Sequence, residues 1–302
     1  MEALSENTGD FWVEATVPIL ENPSVVEFLR EAYSKYHPVI IRGAIADWPA
    51  LRKWDKQYLI EHIHDKVCVN ITPDGMADSV KLVQDKECFT YPAEMRMSMT
   101  DFYTMIESTD RETAVAYLSE QNDNLRLSMS DLLDDIHPPS IVDAFGESNL
   151  PEAVNMWIGD EKSVSSMHKD HFENMYCVVS GEKCFTLLPP TDIAFLPEDE
   201  YTTLRYALKH GHDYNNPIIK KEDLELVNQG PSTDTLRWIG LDPDDPEACA
   251  RYPNSINNLH PIRCKVQAGE VLYIPSMWLH RVTQSRLTVA VNYWFDMRFD
   301  FR

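Results

Sequence analysis

The sequence predicts a mainly β protein, with helical and mixed elements first and an antiparallel β domain after them. Three observations carry this. Apolar residues at helical spacing concentrate in the first half, as in Val25, Phe28, Leu29, Ala32 and Tyr33. From Val154 onward the pattern changes to short apolar runs bounded by turn residues. The last run, Thr288-Val-Ala-Val-Asn-Tyr-Trp-Phe295, is rich in β-branched and aromatic residues.

Taken in order, Asn22-Pro23 reads as an N-cap and a proline at the first helical position. His37-Pro38 ends that helix, because proline disfavours helical backbone in the residue before it. Val39-Ile-Ile41 is a short buried strand and Asp47-Trp-Pro49 a turn. Asp55 caps a helix that turns Tyr58, Leu59 and Ile63 inward. Val67 to Ile71 alternates as a strand and Pro73-Asp-Gly75 turns it. Asp101 to Ile106 reads as helix, Ala114 to Leu118 as strand, and Ser128 to Ile136 as helix closed by His137-Pro-Pro139.

In the second half, Met175 to Val179 and Lys183 to Leu188 flank Ser180-Gly-Glu182, which signals a hairpin. Thr191 to His260 is polar, rich in Asp, Asn and Pro, and has no sustained period. It reads as an insertion loop with a short helix near Glu222. Strand signals resume at Ile262 to Val266 and Val271 to Ile274. The expected division is 1–150, helical and mixed, against 151–302, a β core with the 191–260 insertion, packed as one unit.

Composition narrows the function classes. A hydrophobic share of 43% over 302 residues supports a sizeable core. A net charge of −22 repels phosphate backbones, so direct nucleic-acid binding is not expected, whereas a basic peptide or protein would be attracted. Six cysteines without a C-x-x-C pair argue against a zinc ribbon and read as reduced thiols. No basic-then-apolar leader and no apolar run of membrane-spanning length occurs, so no membrane contact is expected. These features place the protein in the cytoplasm, with the nucleus as the alternative.

The chemistry centres on His168-Lys-Asp170. In extended backbone, residues i and i+2 project to the same side, so one imidazole and one carboxylate can aim at one point. A second imidazole would complete the two-His, one-carboxylate set that leaves positions open on non-haem Fe(II). His280 suits that role: it follows Gly269-Glu-Val-Leu-Tyr-Ile-Pro275, a strand closed by proline, and opens the next strand. The bare pair also fits a solvated turn, and a lone histidine is more often a hydrogen-bonded core residue. His171 has the opposite parity and should point away. Lys183 shares parity with Phe185 and Leu187; it is either a buried ammonium that needs an anion or a strand-edge lysine reaching water. Asn174 and Asn292 are polar residues inside apolar strands, placed to hold a ligand or satisfy backbone.

These motifs, in this order, resemble the JmjC oxygenases. The matching residues are His168-Lys-Asp170, Lys183, Gly269 through Pro275 to Trp278-Leu-His280, and Val291-Asn-Tyr-Trp294, with Pro38 to Gly43 and Asp47 to Trp54 upstream. The resemblance runs from about Pro38 to Asp296. It implies a double-stranded β-helix and a dependence on Fe(II), 2-oxoglutarate and O2. It also implies that His168, Asp170 and His280 bind the metal. Lys183, Tyr117 and Ser165 would take the distal carboxylate of 2-oxoglutarate, with Asn174, Asn292 and Trp294 lining the site. Ser165 stands where relatives often carry threonine, and Arg281 where some carry a second histidine. Members most like this chain imply lysyl C-3 hydroxylation of developmentally regulated GTP-binding proteins. N-methyl-lysine demethylation, a non-catalytic binding barrel and a peptidase are the competing readings. Relatives dimerise through a C-terminal helix, so a homodimer is a looser expectation for this chain.

Overall fold

The computed structural model describes residues 15–146, 150–213, 216–228 and 234–297. The first half contributes β1 (Ile19–Glu21), β2 (Val39–Arg42), β3 (Val67–Thr72), β4 (Met76–Ala77), β5 (Ser79–Val83), β6 (Lys86–Tyr91), β7 (Ala93–Met97) and β8 (Val115–Tyr117). The second contributes β9 (Ala153–Gly159), β10 (Val164–Lys169), β11 (Phe172–Ser180), β12 (Glu182–Leu188), β13 (Glu198–Leu208), β14 (Leu224–Val227) and β15 (Thr235–Ile239). It ends with β16 (Ile262–Gln267), β17 (Glu270–Ile274), β18 (Leu279–Gln284) and β19 (Thr288–Asp296).

Two sheets enclose the site. One is ordered β1-β2-β17-β11-β19-β9 and the other β16-β12-β18-β10-β4. From β9 to β12, and again from β16 to β19, each successive strand changes sheet. Neighbours among these eight strands pair antiparallel. The result is the jelly-roll, or double-stranded β-helix, architecture.

The hairpin expected at Ser180-Gly-Glu182 does not form. β11 pairs with β17 and β19, while β12 pairs with β16 and β18. Gly181 makes a corner between sheets, with φ of +85°. A hairpin and a sheet change share one local pattern, two apolar runs about a glycine, and only the distant partners distinguish them. A Cβ on Gly181 would lie 2.3 Å from Thr288 Oγ1 and 2.6 Å from the Leu287 carbonyl oxygen. Gly181→Ala is therefore expected to destabilise the fold by about 2–3 kcal/mol, read as a lower denaturant midpoint at unchanged slope.

β11 and β19 are covered on both faces, which explains their near-continuous apolar sequences. Val289, Val291, Tyr293 and Phe295 join a core with Phe28, Ala32, Leu59 and Phe102 from the N-terminal helices. Ala290 joins Tyr176, Val178, Phe185 and Val282 in the space between the sheets. The helices of the first half thus cover the outside of the sheet whose inside carries chemistry.

Asp55 caps helix Lys56–His62 as expected, its carboxylate accepting from the Tyr58 amide. The first helix instead starts at Val25 under Ser24, whose hydroxyl accepts from the Glu27 amide. Asn22 has a left-handed backbone, φ +47°, where an N-cap needs extended geometry. That helix widens to a π-turn over Leu29–Tyr33. The stretch from Ser128 divides into helix Asn124–Ser128 and a 3-10 run, Ser130–Asp135.

The 191–260 region is no simple loop. β13 pairs with β14, β15 and, in parallel, β6, building a third sheet that includes β5. Most of β13 is half-buried along its length, so no alternation marks it in the sequence. The short helix near Glu222 is the 3-10 turn Lys221–Asp223. The β5–β6 hairpin turns at Gln84-Asp85, both left-handed at φ +50° and +62°. Such turns are ordinarily announced by Asn-Gly or Asp-Gly, and this one gave no sequence signal.

Candidate active site

β10 and β18 run antiparallel in the second sheet, with His168 directly opposite His280. Their ring centroids are 4.2 Å apart. The ladder shifts between Ser165 and His168, a bulge that re-aims β10. Asp170 lies in the turn to β11, where its carbonyl accepts from the Met277 amide at 2.7 Å. Asp170 Oδ2 is 3.8 Å from His168 Nε2 and 3.6 Å from His280 Nε2. One donor atom from each residue lies within 4.8 Å of the others. His171 is exposed and takes no part in this group.

Both imidazoles are held from behind. His168 Nδ1 is 2.6 Å from the Ser166 carbonyl and His280 Nδ1 is 3.0 Å from the Trp278 carbonyl. A carbonyl can only accept, so each Nδ1 carries the proton and each Nε2 presents a lone pair. Burial, and then the neighbouring His168, push His280 down to about 4, so its ring is neutral at physiological pH. Asp170 Oδ2 is buried, with no hydrogen-bond partner among the described residues. A buried carboxylate oxygen facing two imidazole lone pairs is a costly arrangement unless a cation completes it.

Lys183 is fully buried. Its Nζ contacts Tyr117 Oη at 3.1 Å and Gln284 Oε1 at 2.5 Å. Among the described residues no carboxylate pairs with it. Burial pushes its ammonium down to about 7 and the Tyr117 phenol up to about 12. Asn292 donates to Asn174 at 3.2 Å and accepts from the Trp157 indole at 2.9 Å. Ser165, His168, Asp170, Asn174, His280, Asn292 and Trp294 all line one narrow inner chamber. Trp294 stacks on Phe172, with centroids 5.1 Å apart. Seven of the nine residues singled out in the sequence therefore line one space; Tyr117 lines the outer cavity beside it, and Lys183 lies against Tyr117 and the chamber residue Tyr176.

A model of the cupin-like domain matches residues 25–301. The chain belongs to the cupin-like JmjC family. The human protein named bifunctional peptidase and (3S)-lysyl hydroxylase JMJD7 is 38% identical, over 96% of this chain and 87% of its own. JmjC domain-containing protein E of Dictyostelium discoideum is 37% identical over 98% and 88%. Lysine-specific demethylase JMJ32 of Arabidopsis thaliana is 40% identical over 93% and 81%. As a JmjC protein, the chain is a 2-oxoglutarate-dependent oxygenase that uses Fe(II) and O2.

The residues fit those groups. Two imidazoles and one carboxylate with donor atoms this close together are the set that would hold Fe(II). Lys183 is a buried cation lacking an anion, as the distal carboxylate of 2-oxoglutarate requires. The inner chamber holds about 20 Å³, so seating the diacid requires side-chain movement. Breaking the Lys183–Gln284 hydrogen bond would free the ammonium for it. When bound, the metal with 2-oxoglutarate and O2 supplies oxidative decarboxylation coupled to oxygen insertion into a C–H bond. The chain's own part is to fix both imidazoles, anchor the diacid and exclude water with Trp157, Tyr176 and Trp294.

Four residues near the site escaped the sequence reading. Gln284 shares β18 parity with His280, and this could have revealed it. Gly159 has no side chain because a Cβ would sit 2.8 Å from the Tyr117 ring. Trp238 of β15 lies parallel to His168, centroids 6.4 Å apart, and donates to Ser166 Oγ at 3.3 Å. Asp78 lines the outer cavity. Arg281, the departure beside His280, pairs with Asp242 at 2.8 Å.

Proposed function

We propose that the protein hydroxylates a lysine side chain at C-3 in a protein substrate, a GTP-binding protein of the developmentally regulated class. The observation that carries this reading is the outer cavity. It measures about 500 Å³, shares His168 and Asp170 with the inner chamber, and offers Phe89, Tyr91 and Trp238 beside Asp78, Glu94 and Glu120. Apolar walls with acidic groups suit an alkyl chain ending in an ammonium. The (3S)-lysyl hydroxylase in the name of the human relative supports the same reaction. The net charge of −22 favours a basic target.

Demethylation of N-methyl-lysine is the second reading, favoured by the name of the Arabidopsis relative and by the aromatic walls. The peptidase half of the human name finds little support: Cys68 lines the cavity, but burial pushes its thiol up to about 11. Free cysteines at all six positions support a reducing compartment, and we place the protein in cytoplasm and nucleus.

Incubation with Fe(II), 2-oxoglutarate and paired lysine and methyl-lysine peptides tests the reading by mass spectrometry. The expected product is an unmodified lysine that has gained one oxygen, with succinate formed in step. Loss of a methyl group from the methylated peptide alone would transfer the conclusion to demethylation. No succinate with any peptide would leave a binding barrel.

A further inference from the structure

The charged groups on the outer cavity differ in what they already hold. Lys169 pairs with Glu198 at 2.8 Å, and Glu94 with Arg205 at 2.6 Å. Glu120 accepts from the Asn122 amide at 2.9 Å, and Asp170 belongs to the metal-ligand group. The Asp78 carboxylate, by contrast, has neither ion pair nor hydrogen bond among the described residues.

Its backbone is nevertheless firmly placed. β4 pairs with β10, Ala77 against Ser165, and the Asp78 carbonyl accepts from Ser166 Oγ at 2.5 Å. Asp78 is thus tethered to the strand that carries His168. Its φ of +50° lies in the left-handed region, which Asp and Asn adopt more readily than other L residues. Burial raises its carboxyl to about 6, and the nearby His168 and Arg205 only partly offset it. An aromatic wall lines the same cavity, beginning at Tyr91 beside Asp78. Phe89 meets Tyr91 and Trp238 edge-on at 4.8 and 5.0 Å, and Trp238 continues it to His168.

We propose that Asp78 receives the ε-ammonium of the substrate lysine, with the aliphatic stem lying along Trp238 and Phe89. This rests on the lysyl reading above and adds the residue that sets its specificity. A carboxylate hydrogen-bonds a primary ammonium directly, whereas a quaternary ammonium offers it no N–H. Asp78 therefore favours unmethylated lysine over trimethyl-lysine, and lysine over an uncharged chain of the same length.

The test uses the full chain with Fe(II) and 2-oxoglutarate. Its probes are the lysine peptide that the wild-type protein oxidises in the panel above and the same peptide with norleucine at the target. The quantity read is the ratio of kcat/KM for the two, which does not depend on the active fraction. Asp78→Asn suits the left-handed backbone and is expected to lower the lysine value by roughly 10–100-fold, collapsing the ratio by the same factor. Glu31→Gln, an exposed carboxylate outside the cavity that pairs with Lys35, removes the same charge and should leave the ratio within about threefold of wild type, inside the usual context scatter of one hydrogen bond. A lysine preference that survives in Asp78→Asn would overturn the assignment while leaving lysyl hydroxylation intact. Wild-type protein that oxidises neither peptide would end the lysyl reading, and this assignment with it.

Discussion

Asp170→Ala should lower 2-oxoglutarate turnover by more than about 100-fold, beyond the roughly 10–100-fold that loss of a residue supporting a metal ligand costs. His168→Ala should do the same. The two differ in their effect on the metal-free fold. Asp170 Oδ2 is a buried acceptor with no partner, so its removal takes away a desolvation cost. The metal-free Asp170→Ala protein should melt at or above the wild-type temperature, and the rise in Tm on adding Fe(II) without O2 should vanish. Removing His168 deletes an imidazole hydrogen-bonded to the Ser166 carbonyl and should not stabilise the fold. Turnover retained by either variant would refute the ligand assignment. A large loss of stability in metal-free Asp170→Ala would refute its reading as an uncompensated donor.

The second large effect is expected at Lys183. Replacing it with methionine keeps most of the volume and removes the charge. A charge-assisted hydrogen bond contributes about 1.5–3 kcal/mol, so KM for 2-oxoglutarate should rise roughly 10–100-fold. The direction of the pH dependence follows from burial, which lowers the ammonium from 10.5 to about 7. Between these values the folded chain holds fewer protons at Lys183 than the unfolded chain, so unliganded stability rises with pH across that window. A bound carboxylate needs the protonated form, so affinity for the diacid should fall as pH climbs above 7. Binding at pH 8 should accordingly take up a proton, visible as a binding enthalpy that depends on the buffer. Lys183→Met should abolish both pH effects and leave unliganded stability equal or higher. A wild-type affinity that is flat from pH 7 to 9 would exclude Lys183 as the anchor.

Some of the architecture was legible because its cause is local. Asp55 caps its helix through its own carboxylate wherever the rest of the chain lies, whereas the first helix ends at Tyr33, ahead of the His37-Pro38 expected to stop it, with Tyr36 left-handed at φ +56°. The final strand showed through because cover on both faces demands apolar residues at nearly every position. Elements that depend on a partner were hidden. β13 is half-exposed and charged, so nothing in its composition separates it from loop. The hairpin expected about Gly181 failed for a related reason: the glycine shows that the chain turns, but not towards which sheet.

The site divides along the same line. Strand parity put His168 and Asp170 on one side and marked Lys183 as a cation among apolar residues, and the resemblance in motif order then assigned these three and His280 their roles. Trp238 and Asp78 carried no such mark, since a tryptophan or an aspartate in a polar stretch is unremarked until the stretch folds over the metal ligands.

By itself the sequence determined the donor set, through its motifs and their order, and the apolar runs that build two covered strands, since these follow from residue type and spacing; that Lys183 is buried was settled only by the fold. Tertiary structure alone decided that β10 meets β18 in a register placing the two imidazoles opposite each other. It also decided that strands change sheet at Gly181, and that the residue after β4, Asp78, and Trp238 of β15 line the outer cavity. Such pairings depend on which edges meet after long loops close, and no local pattern encodes that choice.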